Sequence, residues 1–313
     1  MTESPHTTGT LAPRQEWPAR SDSPSVPDAL RAWLAGRSDL GWVAVWVLGL
    51  TAVWLWNAAF LNAPAFALLQ QAFLNSMGAG IVAVAGTLVL GWGTAVTLDL
   101  LHRREMKGLH LLLTFLLNLL RSLPQMIGIL IGYVLLTVLI AHDIIREPGL
   151  QVAWTALLIS LVTFTELVDV ILERIEHYRR SDFYNALLVS GMREARIVNV
   201  EILWTNSLAH ILHKLIQTFG MAIFLQASID FIVSVGLSTD VSLSNFPATL
   251  GNLLATIDSK QDILAISVLF DDFSYITTLP FRHAQGLSVA FLIIFTLYCV
   301  YRLGNVLVKR HHL

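Results

Sequence analysis

The stretch "SDFYNALLVSGMREARIVNVEILW", Ser181–Trp204, mixes charges, small residues and one glycine between two long apolar runs, Leu150–Leu172 and Trp204–Leu237. Each run has the roughly 20 apolar residues that carry a helix across a hydrocarbon core about 30 Å thick. The polar stretch therefore reads as the connection between two membrane crossings. The whole composition agrees: 55% of the residues are hydrophobic and 13% charged, against about 25% charged in soluble domains, and the mean hydropathy is +0.65. A net charge of −2 over 313 residues gives no electrostatic ground for a nucleic-acid partner. The single Cys299 sits in an apolar run, which excludes an internal disulfide framework and a CxxC pair.

Read outward from this stretch, the chain predicts an all-α integral membrane protein with six transmembrane helices: Gly41–Leu61, Leu74–Leu101, Leu109–Ala141, Leu150–Leu172, Trp204–Leu237 and Gly286–Leu307. Residues 1–40 are rich in Pro, Ser, Thr and charge and read as a disordered tail, with one short interfacial helix near Leu30–Leu34. No short apolar run with a small-residue cleavage site follows the N-terminus, so the first anchor is expected to stay attached. Residues 41–108 hold the first two spans and 109–313 the remainder. The third span is too long for one straight crossing and carries Pro124 after Arg121, so "GLHLLLTFLLNLLRSLP" is expected to lie oblique or bend. Gly78, Gly80, Gly86, Gly91 and Gly93 stud the second span and predict close helix–helix contact.

Lys and Arg set the orientation. One side collects the N-terminal arginines, Arg103, Arg104, Lys107, Arg174, Arg179, Arg180, Arg193, Arg196, Arg302, Lys309 and Arg310, the other only Arg146, Lys260 and Arg282. The bias predicts that both termini and the loop 173–203 are cytoplasmic and that 238–285 is the largest external segment, with a lid-like helix or turn in "SNFPATLGNLLATI". Within the loop two short helical patterns, Asp182–Ser190 and Glu194–Ile202, meet at Gly191. In the second, Ala195, Val198 and Ile202 share a face, away from Arg196, Asn199 and Glu201. A helix–turn–helix this small needs something to cover its apolar side, and it is too weakly basic for a lipid-bound helix, so a protein partner is expected.

The spacing of Ala186, Gly191, Arg196, Ile197, Ile202 and Leu203 resembles the "EAA" loop of ABC importer permeases, and "FLQASIDFIVSVGLSTDVSLSNFPATLGNLLA" is similar to the "EASLSFLGLG…WGNML" segment of the peptide/nickel subfamily's second permease. "LLRSLPQMIGILIGYVLL" looks like that subfamily's third-span "LPSLLLALLLV" element. The likeness runs from Asn118 to Leu254 and over the final span; the first two spans match in hydropathy alone. Asn185 stands where that family has the glutamate, Leu187 the second alanine, Glu201 a histidine and Trp204 a proline, with one extra residue before Asn206. The resemblance implies a type I importer permease fold in a bacterial inner membrane. It also implies a coupling loop carried by Asn185, Ala186, Gly191, Arg193, Arg196 and Glu201. The implied partners are a second permease subunit, identical or different, two ATP-binding subunits, an extracytoplasmic solute-binding protein and lipid. Peptides or a related small solute would be carried. A phosphonate-type or other small-solute permease, or a scaffold or sensor using the same loop without moving solute, are the alternatives.

Charges at membrane depth cost about 2.5–3.5 kcal/mol each at a helix centre, which singles out Arg121, Glu166, Asp169, Lys214 and Asp230, with Pro124 beside the first, as candidates for the pathway or gate. Arg121 and Lys214 could instead snorkel or pair with Asp169 and Glu166. Asp230 is expected to latch an outer gate through Ser228, Ser234 or a partner subunit. His210 and His213 share a helical face but lack a third ligand nearby in sequence, so no metal is expected. The chain contains no GxxxxGK[ST], GxSxG or HExxH. It is expected to be non-catalytic and to bind no cofactor, ATP being hydrolysed by partner subunits.

Overall fold

A computed structural model describes residues 38–236, 247–256, 261–262 and 264–311, with Asp39–Leu313 forming one compact unit. The expected tail, with its short helix near Leu30–Leu34, lies outside the described residues, as does 237–246. The described residues are helical, with no strand among them. We label the main helices α1 (Ser38–Phe60), α2 (Ala63–Arg103), α3 (Lys107–Ser122), α4 (Gln125–Ala141), α5 (Pro148–Arg179), α6 (Asp182–Val189), α7 (Leu208–Gly236), α8 (Leu250–Ala255) and α9 (Ala284–His311). Five stretches among them are long and apolar enough to cross a membrane: Gly41–Phe60, Ala63–Arg103, Pro148–Arg179, Leu208–Val233 and Ala284–Val306. The chain is thus an all-α, multi-pass membrane protein.

The expected third span is broken. α3 and α4 meet at a 93° bend where Leu123 is extended and Pro124, with ψ 128°, starts α4. Proline supplies no N–H to bridge the break and forces the residue before it out of the helical region. The 17 residues of α4 rise only about 26 Å at 1.5 Å each. Along α3, Leu111, Phe115 and Leu119 are exposed while Leu117 is buried. Leu109–Ala141 is therefore not one straight helix but two, bent at Pro124 as the sequence predicts.

α2 is longer than its expected span, with 41 residues that reach about 62 Å, twice the hydrocarbon thickness. It starts where Asn62 Oδ1 accepts the Ala65 N–H at 2.9 Å and packs along α5 and then α7. Small residues make this approach possible: Ser76, Ala79, Ala83, Thr87, Gly91 and Ala95 are buried at steps of three or four, and Thr87 and Thr163 bond across at 2.8 Å. Three of the five expected contact glycines face a neighbouring helix. A Cβ on Gly80 would meet Phe219 at 2.8 Å, one on Gly86 Ser160 Oγ at 2.8 Å, and one on Gly91 Leu167 at 2.9 Å. Gly78 and Gly93 are a correction, since nothing lies within 4 Å of a Cβ there. They sit on the outer side of the same helix. Gly91→Val is accordingly expected to destabilise the detergent-purified chain by about 1–3 kcal/mol through overpacking, while Gly93→Val leaves the thermal unfolding curve in place.

α9 packs on α7, with Gly220 against Val300. α1 stays peripheral and touches α9 through Ser288 Oγ, which donates to Asn57 Oδ1 at 2.7 Å, and through the Trp46 indole, 3.4 Å from Thr296 Oγ1. α8 is buried between α7, α9 and α2.

Candidate functional site

The Ser181–Trp204 stretch folds as a helical hairpin. α6 ends at Val189, Gly191 takes φ +81°, and a turn at Glu194–Arg196 runs into a π-helical segment, Ile197–Asn206. Glycine is the residue that adopts such a φ without steric cost. The second helix therefore runs past the expected Ile202, and most of it is wound with i→i+5 geometry. The side chains of Thr205 and Asn206 bond the carbonyls five residues back, Val200 at 2.9 Å and Glu201 at 2.6 Å.

The hairpin's inner face is covered by the chain itself, which corrects the expectation that only a partner could cover it. Ile197, Val198, Ile202 and Leu203 are fully buried and join Leu167, Val168, Ile171 and Ile175 of α5 in one core, with Tyr184 from α6. Ala195, expected on the buried face, is exposed. Wider π turns shift the inward face to the pairs Ile197–Val198 and Ile202–Leu203. Polar bonds fasten the same face. The Trp92 indole donates to Asn199 Oδ1 at 2.9 Å, and Arg103 bonds Glu194 and also pairs with Asp99 at 2.6 Å. Asp99, 5% exposed, also takes Arg179 at 2.5 Å, whose guanidinium lies over the Tyr184 ring at 5.9 Å. A carboxylate thus sits between two guanidinium groups where the hairpin meets α2 and α5. Sequence reasoning missed Asp99, although an aspartate four residues before Arg103 at the end of an apolar run marks it.

The outer face is the one the resemblance singles out. Asn185, Ala186, Gly191, Arg193 and Arg196 are exposed and Glu201 half-buried, and Val189, at the end of α6, is 90% exposed.

Four of the candidate membrane charges pair around one turn of α5. Arg121 bonds Asp169 and reaches Asn118 at 3.2 Å. Glu166 accepts from Gln125 at 2.7 Å and from Lys214 of α7 at 2.6 Å. The exposed Pro124 lies between Arg121 and Gln125, so the acids of α5, one turn apart, grip both sides of the α3–α4 bend. Arg121 and Asp169, and Glu166 and Lys214, are thereby ion-paired, the pairing that the sequence leaves open beside a pathway role.

Asp230 stands apart from these. It is 5% exposed, and its carboxylate accepts from the Tyr133 hydroxyl of α4 and from Thr249 Oγ1 at 2.6 Å. Those are its partners among the described residues, where the sequence predicts Ser228; the side chain of Ser234 lies outside the described residues. α8, which lies in the stretch expected to make a lid-like helix or turn, is packed into the bundle. Leu250, Leu253 and Ala255 are buried, the Leu250 N–H donates to Ser76 Oγ at 2.9 Å, and Asn75 Nδ2 donates to the Ala248 carbonyl at 2.7 Å. His213 bonds Gln217 at 2.9 Å, and His210 and His213 are not joined by a third His, Cys, Asp or Glu among the described residues. No protein family, curated protein or solved structure matches the chain.

Proposed function

We propose that this chain is the permease subunit of an ATP-driven ABC importer, with six crossings if the α3–α4 pair counts as one and both termini in the cytoplasm of a bacterial inner membrane. The observation that carries the reading is the two-sided hairpin. Five of the six residues that the sequence resemblance assigns to ATPase coupling, Asn185, Ala186, Gly191, Arg193 and Arg196, are exposed on its free face, and its other face is bolted to α2 and α5 by Asp99, Arg103, Asn199 and four buried aliphatic side chains. A force applied to the free face would move two membrane helices with it. The extra residue relative to the family pattern falls in the π-helical segment, where each backbone hydrogen bond spans one residue more than in an α-helix. The spans of this subunit and of a second permease would line the solute path, exposed alternately to each side as the ATPases close and open. Peptides or a related small solute, delivered by an extracytoplasmic binding protein, are the cargo this reading favours.

The test is to purify the full chain from its native membranes and follow ATP-binding subunits carrying a GxxxxGK[ST] motif. The parent chain retains them and supports ATP-dependent peptide uptake in vesicles. Val189→Arg loses them at unchanged abundance. A chain that comes out of the membrane with no ATPase overturns the reading, and an ATPase retained without uptake favours the scaffold or sensor alternative. Gly191→Ala is expected to act similarly. Forcing an L residue to φ +81° costs about 1–2 kcal/mol although nothing crowds the position, so ATPase retention falls while the thermal unfolding of the membrane helices is unmoved.

A further inference from the structure

The segment preceding α9 is built inside out. Its polar groups pair with one another and with the first turn of α9: Asp262 Oδ1 meets His283 Nδ1 at 2.8 Å, Asp262 Oδ2 accepts the Gly286 N–H at 2.8 Å, and Tyr275 Oη meets His283 Nε2 at 2.9 Å. Among the described residues, most of its large apolar side chains are uncovered, Leu279 being the buried one. Phe270 is 92% and Phe273 74% exposed, with Leu264, Ile276 and Phe281 exposed beside them. A cluster of this size facing water would be costly. The backbone is satisfied locally, with Asp272 N–H bonded to the Val268 carbonyl, Tyr275 to Asp272, Thr278 to Tyr275, Phe281 to Thr278 and His283 to Leu279. Such closure is what a poorly hydrated setting demands.

The contacts also give the level of the segment. Phe281 lies 5.1 Å from Trp56 and 5.0 Å from Phe60, ring centre to ring centre, and Phe60 closes the apolar stretch Gly41–Phe60. Aromatic side chains collect where spans leave the hydrocarbon. The other end is held by Asp262 and His283 at the start of the span Ala284–Val306. The exposed Asp271, Asp272 and Arg282 fit headgroups rather than acyl chains. Through Phe281 the patch touches the end of α1, a helix whose Val47, Leu48 and Leu55 are likewise exposed.

We infer that residues 264–282 form an interfacial lipid anchor, with Phe270 and Phe273 inserted at the headgroup–acyl boundary of the bilayer. The inference depends on the membrane-spanning architecture and not on the transport function. To test it, Phe270→Cys and Phe273→Cys versions of the full chain are labelled with bimane and placed alone in phosphatidylcholine–phosphatidylglycerol nanodiscs. The parent, whose one cysteine is buried, supplies the labelling background. The expected result at both positions is a blue-shifted emission, strong quenching by doxyl-labelled lipid and loss of most of the iodide quenching seen with free bimane. Iodide quenching equal to that of the free label would put the segment in water. Shielding from both quenchers would put it against protein, a second copy or a neighbouring loop. Either outcome overturns the anchor.

Discussion

Asp99→Leu is expected to cost about 3–5 kcal/mol, the toll of removing one member of a buried ion-pair cluster, and to leave little folded chain in the membrane. The carboxylate is 5% exposed and holds Arg103 at 2.6 Å and Arg179 at 2.5 Å. Without it, two guanidinium groups confront each other at the junction of α2, α5 and the hairpin. Arg103 keeps Glu194 as a partner, whereas among the described residues Arg179 keeps only the Tyr184 ring face. The damage comes from uncompensated charge and not from the loss of a favourable pair. It follows that Asp99→Leu combined with Arg103→Met and Arg179→Met recovers most of the lost stability, because an apolar cluster of similar volume replaces a buried ionic one at little net cost. Thermal unfolding in detergent and abundance in membranes read both variants. Single and triple variants that are equally unstable would mean that Asp99 acts through something other than these two arginines.

Asp230→Leu has the second largest expected effect. It strips the acceptor from Thr249 Oγ1 and one of the partners of the Tyr133 hydroxyl, which also bonds Thr155, and a buried hydroxyl that loses its acceptor costs about 1–3 kcal/mol. The isobutyl group must also fit where α8 lies flush on α7, since a Cβ on Gly251 would be 2.6 Å from Ala227 Cα and 2.9 Å from Asp230. α8 should undock, so the variant is depleted and melts early. Asp230→Asn is expected to be much milder. Its amide oxygen accepts from Tyr133 while its NH2 donates to Thr249, whose hydroxyl accepts as readily as it donates. Parent-like abundance and melting for Asp230→Leu would show that α8 is held by Ser76 and Asn75 alone.

Hydropathy and residue chemistry sufficed for what is local. The apolar runs marked the spans because hydrocarbon tolerates few charges, and Pro124 marked the α3–α4 break because proline acts within one turn. Gly191 marked the hairpin turn because a left-handed φ is a property of a single residue. Arg121, Glu166, Asp169 and Lys214 were legible as charges needing partners. Which partner each takes depends on how α5 and α7 are rotated about their axes, and that rotation is set by packing across distant segments. The same reason hid the rest. Asp99 looked like a helix-end charge until α5 brought Arg179 across 80 positions of sequence. Gly78 and Gly93 differ from Gly80, Gly86 and Gly91 only in which side of α2 its neighbours occupy. The partners of Asp230, Tyr133 and Thr249, were hidden because they come from a broken helix and a buried one. Composition and single-residue stereochemistry determined the helices, their solvent and their breaks; tertiary structure decided the pairings, because burial and hydrogen bonding between helices depend on relative rotation and depth, which no local pattern encodes.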